Sequence, residues 1–171
     1  PEAFECAVGC NAHGPDWTCL MTHVRSKGSE RGFAGDYKAY DTTCSATAME
    51  VAFGALMEII VRANAITGAF NEADFKVMRG LVSELCQPIY EHQGELIGVV
   101  GSNASGHNAT VIINNFINSF YFRYCWYELM AKNGGKSALP PVEGPSRFSS
   151  YVSLLCYGDD NIGTVADGMP W

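Results

Sequence analysis

"SSYVSLLCYGDDNIGTVADG" (149–168) is the stretch on which the fold turns. An apolar run from Val152 to Cys156 leads into Gly158-Asp159, and a second run carries Ile162 and Val165, so the segment reads as strand, tight turn, strand. Asp159 and Asp160 then sit side by side at the tip of a buried strand, where like charges repel. The plainest reading of this tetrapeptide is a solvated β-turn, because Gly-Asp is ordinary turn chemistry. The chemical alternative is metal binding: hard cations such as Mg²⁺ take carboxylate oxygens and relieve the repulsion, and a hairpin turn holds the acids on a rigid mount.

A metal site of that kind needs another acid from elsewhere in the chain. "RGFAGDY" (31–37) reads as a short buried strand ending at Gly35, which makes Asp36 the first candidate. Asp41 follows five residues later near the start of the next helix. Taken singly, Asp36 is equally a strand-ending turn residue and Asp41 a helix cap. The third feature is "GSNASGHNATVIINN" (101–115). Its small residues and Ser105-Gly106 make a loop that backbone or phosphate can approach closely. Thr110 and Asn114, four residues apart, share a face of the helix that follows. A buried Asn there needs partners, and a ligand hydroxyl or a neighbouring core group would each serve.

The rest of the chain supplies helices for a sheet. In "SATAMEVAFGALMEIIVRANAITG" (45–68) Met49, Ala52, Phe53, Leu56, Ile59 and Ile60 recur at helical spacing, and Gly68 suits the helix end. "NEADFKVMRGLVSELC" (71–86) starts on Asn71 with Asp74 three residues on, a capping-box pattern, and presents Phe75, Met78, Leu81, Val82 and Leu85 as an apolar face. "PIYEHQGELIGVV" (88–100) reads as a hairpin turning near Gln93-Gly94, and residues 107–133 as a long helix that packing must stabilise. "NGGKSALPPVEGPSR" (133–147) is a loop within one domain. The order of elements predicts an α/β (α+β) fold, an antiparallel sheet with helices packed on one face.

Composition narrows the class without deciding it. The 171 residues are 47% apolar and 17% charged, enough for one core. A net charge of −7 argues against a freestanding module that grips nucleic acid by a basic face, though divalent ions would neutralise part of it. The seven cysteines and four histidines form no zinc-spaced cluster, so the thiols read as reduced and intracellular. No stretch is long and apolar enough for a bilayer-spanning helix. The opening "PEAFECAVGC" lacks an initiator methionine, and the chain reads as a piece of something longer.

Three motifs in order resemble the palm of viral RNA-dependent RNA polymerases. "DYKAYD" (36–41) resembles that family's first palm motif, with aspartates in the D-x4-D arrangement; "SGHNATVIINN" (105–115) resembles the second, SG-x3-T-x3-N; and "YGDD" (157–160) matches the third. "AVGCNAHGPDW" (7–17) resembles the stretch that leads into the first motif in picornavirus-like polymerases, and "GSNASGHNATVIIN" with "YGDDNI" looks most like the picorna-like viruses of marine protists. The resemblance implies template-directed transfer of nucleotides from ribonucleoside triphosphates to an RNA 3′-hydroxyl in viral replication, on a palm with a fingers segment at roughly 70–100.

It further implies that Asp36 and Asp159 hold two Mg²⁺ ions (Mn²⁺ as the substitute) about 4 Å apart, with Asp160 assisting. Asp41, Ser105 and Asn114 would read the ribose 2′-hydroxyl, Gly106 would let the loop move, and Thr110 would support Asn114. His107 receives no role. The implied partners are template and product RNA, the triphosphates, and the remaining fingers, thumb and downstream palm of one polyprotein, in a replication complex in the host cytoplasm. Basic fingers residues and a general-acid lysine are expected outside these residues, so the fragment alone is expected to be inactive. Two rivals stand beside this reading. A reverse transcriptase palm usually carries a bulky aromatic where this chain has Asp41, and a non-catalytic α/β binding protein would use its Gly-Asp-Asp only as a turn.

Overall fold

The computed structural model describes residues 4–132, 146–167 and 169. The chain divides into two compact units, one made of Pro1–Tyr37 with Asn114–Trp171 and the other of Lys38–Ile113.

In the first unit β1 (Gly32–Gly35), β4 (Val152–Tyr157) and β5 (Asp160–Val165) form an antiparallel sheet in the order β1-β5-β4. The predicted strand, turn and strand are present with Tyr157 opposite Asp160, and Gly35 pairs with Asn161 on the other edge of β5. β4 is buried from Val152 to Cys156, both faces included. Val152, Leu154 and Cys156 join Trp126 of α5 (Thr110–Lys132), Phe148 of α6 (Ser146–Tyr151), Val165 and Met169 in one apolar cluster. Leu155 points the other way, into a cluster with Leu20 and Val24 of α1 (Pro15–Val24).

Helices therefore cover both faces, which corrects the one-face expectation while keeping the fold class. The physical reason is visible in β4 itself: a continuous apolar run, rather than an alternating one, needs cover on each side. On the α1 side polar groups are matched to backbone. Ser153 Oγ donates to the His23 carbonyl, Thr164 Oγ1 donates to the Val24 carbonyl, and His23 Nε2 lies 3.0 Å from the Leu154 carbonyl oxygen. A short 3-10 helix, Arg25–Lys27, then leads to β1.

β1 departs from expectation in burial. Three of its four residues are exposed, because it is paired only with β5, and Phe33 alone turns inward. That ring stacks on Phe122 at 5.2 Å between centroids and lies over Gly163, its partner across the ladder. A Cβ at Gly163 would overlap both the Phe33 ring and the Ser153 carbonyl, so the position admits only glycine. The first strand reaches the sheet by this close approach. On the far edge of β4, Cys6 makes a parallel bridge with Cys156, and the buried Glu5 carboxylate takes a two-pronged ion pair from Arg123 of α5 at 2.6 and 2.9 Å.

The second unit follows its capping signals closely. Ser45 caps α3 (Ala46–Thr67) by accepting from the Ala48 N–H, and Gly68 ends it in the left-handed region. Asn71 and Asp74 form a full capping box on α4 (Glu72–Cys86). β2 (Ile89–His92) and β3 (Glu95–Gly98) pair as a hairpin around Gln93 and Gly94, both at positive φ as a type I′ turn demands. A single turn, α2 (Tyr40–Thr43), precedes α3.

Other corrections concern boundaries and burial. α5 begins at Thr110 rather than His107, residues 149–151 belong to α6 rather than to the strand, and α1 was not foreseen. On α3 the buried positions are Ala48, Met49, Ala52 and Phe53, whereas Ile59 is exposed; Leu81 of α4 is exposed too. Of the loop expected at 133–147, residues 133–145 lie outside the described residues.

Candidate active site

The β4–β5 turn is built from its sequence in two steps. Gly158 takes φ 63°, the positive value that a two-residue turn of the II′ class requires at its first position. Asp159 follows as the second turn residue and Asp160 opens β5. The ladder brings Gly35 opposite Asn161, so Asp36, one residue beyond β1, falls at the same end of the sheet as Asp159 and Asp160. The three acids that sequence reading singled out are thus gathered by strand register.

Asn118 of α5 locks this end of the sheet. Its side chain is fully buried, and its Nδ2 donates toward the carbonyls of Gly158 at 3.2 Å, Asp159 at 2.8 Å and Asp160 at 3.2 Å. Tyr37, adjacent to Asp36, donates its hydroxyl to Asn118 Oδ1 at 3.3 Å. Burial, with smaller contributions from Cys156, Cys125 and Tyr121, pushes the Tyr37 phenol up to about 12, which keeps it a donor. One amide therefore ties the turn that carries Asp159 and Asp160 to the residue that follows Asp36.

Within the described residues the carboxylates of Asp36, Asp159 and Asp160 take no hydrogen bond or ion pair, and Asp36 and Asp160 are exposed. Unpaired hard oxygen donors on a clamped turn fit Mg²⁺. Among the described residues no three His, Cys, Asp or Glu side chains form a ready-made metal group. Mg²⁺ in general is held by one or two carboxylates together with waters and substrate phosphates.

The remaining candidates fall as follows. Asn114, half-buried on α5, belongs to the first unit, whereas Asp41, Ser105, Gly106 and Thr110 belong to the second. Asp41 is exposed in the first turn of α2, and its Oδ1 accepts from the Thr42 N–H at 3.0 Å. Ser105 and Gly106 are exposed at the tip of their loop, with Gly106 at φ 102°. Thr110 starts α5 and donates its hydroxyl to the Ala104 carbonyl at 3.0 Å, which closes the loop behind Ser105 and Gly106.

A family model described as viral RNA-dependent RNA polymerase matches residues 1–170. The chain belongs to that family. This polymerase region is 28% identical over 159 residues to the replicase polyprotein of Drosophila C virus, covering 92% of the chain and 9% of that polyprotein. It is 28% identical to the RNA1 polyprotein of Cherry rasp leaf virus, over 94% of the chain and 7% of the relative. The replicase polyprotein of cricket paralysis virus is 25% identical, over 95% of the chain and 9% of the relative. The solved structure of the Sicinivirus 3Dpol RNA-dependent RNA polymerase shares the fold with a TM-score of 0.60 at 17% identity, over 95% of this chain and 29% of that one. The chain thus spans less than a tenth of these polyproteins and under a third of that polymerase structure.

Asn118 is the residue that sequence reasoning missed in this picorna-like polymerase region. Its signal was present: Thr110, Asn114 and Asn118 are polar at successive four-residue steps in a helix otherwise rich in apolar and aromatic side chains.

Proposed function

We propose that this chain carries the catalytic centre of an RNA-directed RNA polymerase that extends an RNA 3′-hydroxyl on an RNA template. The observation that carries the reading is the gathering of Asp36, Asp159 and Asp160 at one sheet end by the β1–β5–β4 register, with Asn118 fixing the turn. Family membership supports it. Phosphoryl transfer asks a protein chiefly for positioning and charge stabilisation, and carboxylates on a locked hairpin supply the first.

Asp36 and Asp159 are assigned as the principal holders of Mg²⁺, or of Mn²⁺ in its place, with Asp160 as a weaker ligand. When bound, the metal lowers the pKa of the attacking hydroxyl and offsets charge on the phosphates. Asp41, Ser105 and Asn114 are assigned to recognition of the ribose 2′-hydroxyl, supported by their places in the first and second motifs; Gly106 supplies loop freedom and Thr110 closes the loop. Residues at roughly 70–100 are assigned to the fingers. Template and product RNA, ribonucleoside triphosphates and the remaining parts of one viral polyprotein complete the enzyme, in a cytoplasmic replication complex of the host. The finer placement beside viruses of marine protists rests on the 101–114 and 157–162 stretches alone.

Primer extension by the polymerase bearing this chain tests the assignment. With a primed RNA template and Mg²⁺ it should incorporate ribonucleotides, and withdrawing the metal should stop it. No incorporation, or equal use of deoxyribonucleotides, would defeat the reading.

A further inference from the structure

His107 lies in the second motif between residues with assigned roles and has none itself. The Ala109 N–H lies 3.2 Å from His107 Nδ1, and a backbone N–H can only donate, so Nδ1 must present its lone pair. The imidazole proton then resides on Nε2, which lies 2.9 Å from Asn103 Oδ1. Asn103 is almost fully buried, and its Nδ2 donates to the Thr110 carbonyl at 3.4 Å, which fixes the orientation of its amide and leaves Oδ1 to accept. The Thr110 N–H returns to the His107 carbonyl at 3.0 Å. Asn103, His107 and Thr110 therefore close a ring of hydrogen bonds across the base of the loop that carries the exposed Ser105 and Gly106. Burial also holds His107 below the ordinary histidine range, which favours the neutral ring that this pattern needs.

We propose that His107, as the Nε2–H tautomer, is a positioning residue that clamps Asn103 to Ala109 and so sets the placement of Ser105 for nucleotide binding. Gly106 at φ 102° makes the reversal sterically allowed, but a backbone free to adopt it is also free to leave it. The imidazole biases the resting loop toward one shape while Gly106 keeps it able to move. It does so with two atoms that accept and donate in opposite directions, an arrangement that a neutral histidine alone among aromatic side chains can supply.

The inference rests on the polymerase reading, and its test separates the two. In the wild-type polymerase, long-range nitrogen–proton correlations of the His107 ring should show the proton on Nε2; a proton on Nδ1 overturns the proposal whatever the activity. His107→Phe removes both bonds and should raise KM for the ribonucleotide about tenfold, the equivalent of one or two hydrogen bonds, with kcat within about threefold. His107→Asn keeps an acceptor near Nδ1, and His107→Gln keeps a donor reaching toward Asn103; each should recover part of the KM. A merely structural histidine would instead lower the active fraction and kcat at constant KM, and that result refutes the positioning role. Absence of RNA synthesis by the wild-type enzyme would defeat the polymerase reading, with the tautomer measurement still deciding the geometry. Should His107→Phe fail to fold, the Asn and Gln variants and the ring proton carry the decision.

Discussion

Replacing Asn118 by alanine should damage the site more than any other single change away from the acids. Three carbonyls face Nδ2, but one amide nitrogen has two hydrogens, so at most two are fully bonded at once. Gly158 is buried and Asp159 half-buried, so water cannot freely replace the lost donor at either, whereas the exposed Asp160 can be solvated. Two net hydrogen bonds at about 1 kcal/mol each, plus about 1–3 kcal/mol for the desolvation of one stranded carbonyl, give a cost of about 3–5 kcal/mol. Asn118→Asp is the sharper probe, because it keeps the volume but points carboxylate oxygen at carbonyl oxygen. It should be less stable than the alanine variant. Urea unfolding of the chain measures the stability, and primer extension by the whole polymerase measures the function. A turn displaced by an ångström should slow incorporation about a hundredfold. An Asn118→Asp variant as stable as wild type, or an alanine variant within about 0.5 kcal/mol of it, would refute the clamp.

Further outcomes follow from the same geometry. Replacing Asp41 or Asn114 should erode the preference for ribonucleotides over deoxyribonucleotides by about tenfold while sparing overall incorporation, read from competition between the two precursors; unchanged selectivity would remove them from ribose recognition. Gly163→Ala forces a methyl into the Phe33 ring and the Ser153 carbonyl, so it should cost at least about 2 kcal/mol and loosen β1, seen as lost amide-exchange protection in residues 32–35. Under native conditions alkylating reagents should modify the exposed Cys19 and Cys125 first. Cys156 should resist until unfolding, because burial chiefly, with Glu5 adding to it, pushes its thiol up to about 12 and leaves almost no thiolate near neutral pH. Early labelling of Cys156 would contradict the packing of β4.

What was legible in the sequence was mostly local. Ser45 and Gly68 mark the ends of α3, Asn71 with Asp74 announces α4, and Gln93-Gly94 announces the hairpin, because caps and turns satisfy their own backbone groups within a few residues. The β4–β5 turn was legible for the same reason. Burial was not, since it depends on distant partners: Phe33 is the only inward residue of a strand that reads as apolar, and Ile59 and Leu81 keep helical spacing yet stay exposed. α6 spans six residues, too few to show a period, and α1 begins with Pro15 after Gly14, a start signal carried by two residues alone. Among the proposed site residues, the acids stood out in the sequence because the proposed chemistry demands their type. Asn118 escaped because its role is to hold backbone, and a buried amide announces that role only once its three carbonyls are in place.

The most direct test of the central claim is nucleotide incorporation by the full polymerase carrying Asp159→Asn. The substitution keeps the size of the side chain and the backbone carbonyl that Asn118 holds, but removes the negative charge a divalent ion needs. Folding should be intact, and incorporation should fall at least about a thousandfold, the scale on which losing charge stabilisation acts in such centres. Incorporation within a few-fold of wild type, with the same dependence on Mg²⁺, would contradict the account.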